Sequence, residues 1–226
     1  MLEPWSLDWR QLQLDKLHSE WKGCTKCPEL CEDRKKMVFG WGNPKADVMF
    51  IGTSPGEVED ELGRPFVGPS GQFLDAVIKG AGRSRDEFYF TNLLCCHPED
   101  DRDPTKLERE ACVARLYREI YLVDPYLVIL VGKVAAVSLL GGKEQKTIEK
   151  LQGKLKILRI PGISFELEYD ALPIYHPAHI LREEHTGTDG KYPPNSKAEK
   201  TNTSIQRSFE VVDKLKREYE KFARRF

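Results

Sequence analysis

Two apolar rhythms alternate along the chain. Unbroken apolar runs at Asp47–Gly52 (DVMFIG), Phe88–Leu94 (FYFTNLL), Tyr126–Val131 (YLVILV) and, more briefly, Ala171–Tyr175 (ALPIY) have the length and flanking turns of buried parallel strands. Between and around them the spacing becomes helical. Leu14, Leu17 and Trp21 recur until Gly23 stops the pattern. Phe73, Leu74, Val77 and Ile78 follow Ser70-Gly71, with Ser70 the expected N-cap. A further helix is predicted from about Leu107 to Leu122, and Ile205, Phe209, Val212, Tyr219 and Phe222 share one face of a closing helix. Lys154–Glu168 reads as a small β-hairpin, and Thr186–Asn202, polar and rich in Gly and Pro, as a loop. Strands alternating with helices predict an α/β fold: a parallel sheet covered on both faces, with chemistry in the loops at the carboxyl ends of its strands.

Composition narrows the setting. At 226 residues and 40% hydrophobic content, one core-bearing domain spanning 1–226 is the expectation. The 35 Lys and Arg against 36 Asp and Glu leave a net charge of -1, so the molecule as a whole is no general polyanion binder. Any nucleic-acid contact must be local. From Lys191 to Phe226 ten basic residues face five acidic ones, which fits a solvated helix face or a contact to a DNA backbone. Met1–Arg10 carries charges and no apolar run long enough for a signal peptide or membrane helix, so a soluble, cytoplasmic protein without a membrane partner is expected.

In such a reducing compartment, six cysteines read as ligands or buried thiols rather than disulfides. Cys24 and Cys27 form a C-x2-C pair; Cys96 follows the second strand, and Cys112, separated from it by fifteen residues, lies inside a helix. Structural zinc usually takes two tight pairs, whereas iron–sulfur clusters accept dispersed thiolates. Spacing alone favours a cluster and leaves zinc and buried thiols open. Cys31, one helical turn past Cys27, and Cys95, which strand alternation turns to the opposite face from Cys96, are expected to be buried thiols. Cys31 keeps the position of a substitute ligand.

The stretch Gly52–Asp75, GTSPGEVEDELGRPFVGPSGQFLD, is too rich in Gly, Pro and acids to be core, and it follows a strand directly. Gly68–Gly71 sets backbone amides at a helix start, where a phosphate is favoured. Thr91-Asn92, Cys96-His97-Pro98 and Tyr175-His176-Pro177-Ala178-His179-Ile180-Leu181-Arg182 sit at the ends of other strands. Together, in this order, these pieces resemble the uracil-DNA glycosylase superfamily, and within it the iron–sulfur (family 4) branch. That branch carries a C-x2-C pair, G-E-[AG]-P-G, G-R-P-F-V-G, T-N-x-x-K-C-R-P and H-P-[SA]-x-x-L-R. The likeness runs from Cys24 to Arg182 and includes the fifteen-residue cysteine gap.

The resemblance implies a three-layer αβα sandwich around a mainly four-stranded parallel sheet. It also implies a structural [4Fe-4S] cluster on Cys24, Cys27, Cys96 and Cys112. By position, Phe66 would stack on a flipped-out base, Asn92 would pair with its edge, and His176 would contact its O2, with Thr53, Ser54 and Pro55 completing the base pocket. Gly56, Gly68, Ser70, Ala178, Leu181 and Arg182 would meet DNA, Leu181 as a wedge in the duplex. The implied partner is uracil-containing DNA, single- or double-stranded, met by a monomer. These roles suit the physics: a base must leave the duplex to be reached, and stacking and edge hydrogen bonds offset the unstacking. A donor at the carbonyl that gathers negative charge then lowers the barrier to cleavage. No lysine nucleophile is implied, so the expected enzyme is monofunctional.

The first motif departs from the family. Thr53 stands where the family has Glu, and Ser54 where it has Ala or Gly; related branches put Asp or Asn at the Ser54 position to activate or orient water. A serine hydroxyl is no base near neutral pH, although it can hold a water. Glu57 and Glu59 are the nearby carboxylates able to activate water; the alternative for this acidic run, with Asp60 and Glu61, is a solvated loop. Cys95 and His97 replace the usual Lys and Arg beside Cys96, removing two cations. Three readings follow: a uracil glycosylase, a glycosylase for another modified base, or a binding module of the same fold without catalysis.

Overall fold

The computed structural model describes residues 3–141, 147–162, 166–183 and 195–223, the side chains of 183, 215 and 218–223 excepted. In chain order the elements are α1 (Leu7–Trp21), α2 (Pro28–Asp33), β1 (Trp41–Gly42), β2 (Val48–Gly52), α3 (Glu57–Leu62), α4 (Pro69–Gly80), β3 (Tyr89–Asn92), α5 (Lys106–Val123) and β4 (Leu127–Val131). They continue as α6 (Lys133–Leu140), α7 (Ile148–Leu151), β5 (Lys156–Pro161), β6 (Glu166–Ile174), α8 (Pro177–Glu183) and α9 (Lys197–Ala223).

The strands form one sheet in the order β1-β3-β2-β4-β6-β5. Its four central strands are parallel, and β1 and β5 add antiparallel edges. The predicted four-stranded parallel sheet is therefore the core of a six-stranded mixed one. Burial explains the patterns: every residue of β2, β3 and β4 is buried, as for strands covered on both faces, whereas edge strand β5 alternates. The predicted hairpin and short fourth strand merge, because β6 is one nine-residue strand whose register pairs Ala171 with both Lys156 of β5 and Val128 of β4.

The chain steps from β2 outward to β3, then back across β2 to β4. Right-handed crossovers in opposite directions put α4 and α5 on opposite faces of the sheet. α1 packs on α5 in one layer, while α8 and α9 pack on α4 in the other. The reversal makes the carboxyl end of β2 a topological switch point, the place where ligands of open α/β sheets bind.

Local signals set the helix limits. The Ser6 side chain accepts the Trp9 amide at the start of α1, and Thr105 and Glu108 form a reciprocal capping box at the start of α5, which Asp124 ends in the left-handed region (φ 49°). Ser70 is not the N-cap of α4: Gly68 holds that position with Pro69 first in the helix, the preferred place for a proline. Of the predicted loop Thr186–Asn202, residues 197–202 belong instead to α9, which starts at Lys197, and residues 186–194 lie outside the described residues. So do the side chains of Tyr219 and Phe222, whereas Ile205, Phe209 and Val212 are buried. Among the described residues no helix is long and apolar enough to cross a membrane.

Candidate functional site

The register of the parallel strands brings the predicted base-reading residues to one end of the sheet. Gly52, last in β2, lies opposite Asn92, last in β3, and Val131 of β4 lies opposite Ile174 of β6, two residues before His176. A Cβ on Gly52 would fall 2.3 Å from Asn92 Oδ1 and 2.8 Å from Phe66 Cζ, so the glycine makes room where the amide and the ring converge. Asn92 is 4% exposed and Phe66 5%, and the Phe66 ring lies 5.9 Å from Phe90.

Phe66 has a φ of +53°, a conformation that bulky residues rarely adopt and that recurs at functional sites. Two features fix it. A Cβ on Gly71 would meet the Phe66 carbonyl oxygen at 1.8 Å, so only glycine lets α4 pass so close. The buried carboxylate of Glu59 accepts the amides of Val67 (2.9 Å) and Gly68 (2.7 Å), which holds the next two residues. Hence the Gly68 amide meets a protein carboxylate rather than standing open to a phosphate.

His176 precedes the first turn of α8, and its Nδ1 accepts the Ala178 amide at 3.2 Å. In the neutral ring that leaves the proton on Nε2, which becomes a donor. Burial, with Arg182 and His179 adding to it, pushes the imidazole down to about 4, against opposing effects of Asp101 and Glu59. The side chain is half-buried. Gly132, at φ +92°, is the partner that sequence reasoning missed: a Cβ there would lie 3.0 Å from the imidazole. A glycine directly after a buried strand was its available signal. On α8, Ala178 is half-buried, while Leu181 (41% exposed) and Arg182 face solvent.

The altered first motif spans the sheet end. Thr53 and Ser54 are half-buried and Pro55 is buried; the carbonyls of Gly52 and Thr53 accept the amides of Leu93 and Leu94, each at 2.9 Å. The acidic run after Gly56 is not a solvated loop but α3, whose N-cap is Gly56. Glu57 is exposed there, whereas Glu59 and Asp60 turn inward. Ser70 lies half-buried in the first turn of α4.

The cysteines gather beside this loop. Burial pushes the Cys27 thiol up to about 11, with Cys112, Glu108, Cys96 and Cys24 adding to it, so the four predicted ligands share one neighbourhood. Ionising four thiols together there requires a compensating positive centre, which is the chemistry a metal cluster brings. The donor set fits such a group. Among the described residues, no three His, Cys, Asp or Glu side chains are drawn tightly around a single-ion position. Arg34, which sequence reasoning missed, donates from Nη1 to the Cys96 sulfur at 3.2 Å and from Nη2 to the Cys24 carbonyl at 2.9 Å. Its signal was the first cation of Arg34-Lys35-Lys36, three residues past Cys31.

Cys31 points its thiol at the Cys24 carbonyl (3.5 Å). Cys95 departs from the alternation argument, because β3 has already ended at Asn92; it is fully buried and donates to Cys112, an interaction that leads in bringing the Cys112 thiol down to about 6.

Comparison with known proteins places the fold and site in company. The family model described as the uracil DNA glycosylase superfamily matches residues 39–201. A type-4 uracil-DNA glycosylase of Pyrobaculum aerophilum is 38% identical over 174 residues, covering 76% of this chain and 86% of that protein. Proteins of the same name from Sulfurisphaera tokodaii and Saccharolobus solfataricus are 37% and 39% identical over 171 residues, each covering 74% of this chain and 76% and 77% of the relatives.

Proposed function

The chain belongs to the uracil DNA glycosylase superfamily, and from that premise we propose that it removes uracil from DNA by hydrolysing the N-glycosidic bond, without a lysine nucleophile. The observation that carries this reading is His176, whose Nδ1 is committed to Ala178 and which stands just past the sheet end where Asn92 closes β3 and the Phe66 ring reaches Gly52. A uracil flipped against these strand ends stacks on Phe66, and Asn92 pairs with its edge. As the bond to the sugar breaks, negative charge gathers on the base carbonyl, and the Nε2–H, fixed before reaction begins, stabilises it. A neutral donor suits this step, because it needs no proton from solvent and stays neutral down to about pH 4.

The positive charge that develops on the sugar as the base departs is opposed by Glu59, which already acts electrostatically on His176. Ser54 positions the attacking water. Leu181 and Arg182, exposed on α8, meet the duplex as wedge and phosphate contact, with Gly56, Ser70 and Ala178 along the same rim. The whole chain works as one domain and as a monomer on single- or double-stranded DNA.

Cys24, Cys27, Cys96 and Cys112 would hold a [4Fe-4S] cluster, which when bound ties together segments far apart in sequence. Cys112 would hold the cluster through its thiolate, and Arg34, donating to the Cys96 sulfur, would steady that ligand. Replacing Cys31 by Ser is expected to leave the broad visible absorbance of the cluster and its iron content intact; replacing Cys112 by Ser is expected to lose both. Loss of iron on removing Cys31 would overturn the ligand assignment.

The direct test is incubation with uracil-containing single- and double-stranded oligonucleotides, then alkali. Strand breaks at uracil are expected. DNA retained without breaks in either, with the cluster intact, would favour the second reading, a binding module that lost catalysis when Thr53 and Ser54 replaced the usual first-motif residues. Breaks only at another modified base would reassign the substrate.

A further inference from the structure

We infer that Asp60 and His97 are positioning residues: they brace the first-motif loop, residues 53–56, against the two cysteine-bearing segments, and so set where the attacking water is held. The inference rests on the glycosylase reading for its kinetic arm only. Asp60 is 2% exposed, and among the described residues no side-chain cation forms an ion pair with it; its two oxygens accept the backbone amides of Lys35 (2.8 Å) and Lys36 (3.2 Å), immediately after Arg34 of the first cysteine segment. Its own amide bonds to the Gly56 carbonyl at 2.9 Å, so this carboxylate ties the end of the first-motif loop to the Cys24–Arg34 segment. His97, directly after Cys96, reaches the same loop from the other side. Its Nδ1 lies 2.9 Å from the Pro55 carbonyl oxygen, which can only accept, so the ring donates there.

These ties matter more here than the family pattern suggests. With no carboxylate at Thr53 or Ser54, water must be held by a hydroxyl and by backbone groups of this loop, and backbone groups are placed only by what grips the chain. The adjacent Glu59 extends the brace to the amides of Val67 and Gly68, hence to the Phe66 platform. His97 stands where the family motif has Arg, so this tie belongs to this chain's own version of the site.

The test uses the iron-loaded protein and Asp60→Asn, His97→Ala and His97→Gln. Amide hydrogen exchange over residues 53–68 is read beside single-turnover base release, KM and visible absorbance. Asp60→Asn turns an amide NH2 toward one of the two backbone donors while its oxygen serves the other, and His97→Ala removes a donor; each is expected to raise exchange in 53–68 about tenfold. Each is also expected to lower kcat about tenfold, with KM changed less than about twofold and absorbance retained. His97→Gln, which keeps a donor, is expected to recover most of both. Unchanged exchange and kcat in His97→Ala would overturn the inference, as would equal defects in His97→Ala and His97→Gln. Should Asp60→Asn lose its iron, the His97 pair still decides. Should the wild-type protein release no uracil, the exchange measurements still decide, which separates failure of the brace from failure of the glycosylase reading.

Discussion

Replacing His176 by Ala is expected to slow uracil release by about 10²- to 10³-fold in single-turnover assays, the usual cost of removing one preorganised donor from a developing anion. Binding to uracil-free DNA should change little, because Nε2 acts on charge that appears only as the bond breaks. A fall in KM-type binding with an unchanged release rate would sink the assignment. The same residue predicts a pH signature. Its folded pKa of about 4 lies below the ordinary 6.5, so between those values the unfolded chain binds the proton and the folded protein does not. The contribution of the neutral ring to stability is therefore fully present above about pH 6.5 and declines as pH falls toward 4. Glu108 and Glu119, each held down to about 2, give up their contributions only below the ordinary carboxylate value of 4.5. Melting temperature measured from pH 7.5 to 4.5 should thus fall less in His176→Ala than in the wild type.

Much of this site was legible in the chain because its parts are local. Apolar runs announce β2, β3 and β4, and Asn92, the last residue of β3, and His176, just past β6, are placed by the sheet itself. What escaped reading depends on distant partners. Glu-Val-Glu-Asp-Glu-Leu carries the composition of a solvated loop; it becomes α3 because Glu59 and Asp60 find four unpaired amides from segments on either side. The early start of α9 had a local signal that was passed over. Ser196 and Glu199 have capping-box spacing, and the Ser196 hydroxyl accepts the Glu199 amide at 3.1 Å. Cys95 shows the limit of period-two reasoning: the alternation holds only while the strand lasts, and β3 stops three residues earlier.

Arg115 is the residue whose loss should cost the most stability. It is fully buried in α5, and one guanidinium serves two ends. Nη1 meets Glu119 Oε2 (2.7 Å) and Thr91 Oγ1 (3.0 Å), while Nη2 donates to the carbonyls of Asn92 (2.6 Å) and Leu93 (2.9 Å). Glu119, equally buried, stays ionised against its desolvation through Arg115 and His18, and also accepts the Thr91 hydroxyl and the Gly40 amide. Arg115→Met leaves that carboxylate without its cation in the interior, a change that typically costs about 3–5 kcal/mol. In a chain of this size that lowers the melting temperature by about 10 °C. Arg115→Met/Glu119→Leu, which removes both charges, should recover much of the loss, because the penalty lies in the stranded carboxylate rather than in the absent pair. Base release should not recover with it. The carbonyls of Asn92 and Leu93 have still lost the donor that fixes the base-reading turn, and a misplaced reader costs about tenfold or more in rate even in a stable protein. A double variant restored in both stability and rate would show that Arg115 only balances Glu119; one restored in stability alone assigns it the placing of Asn92.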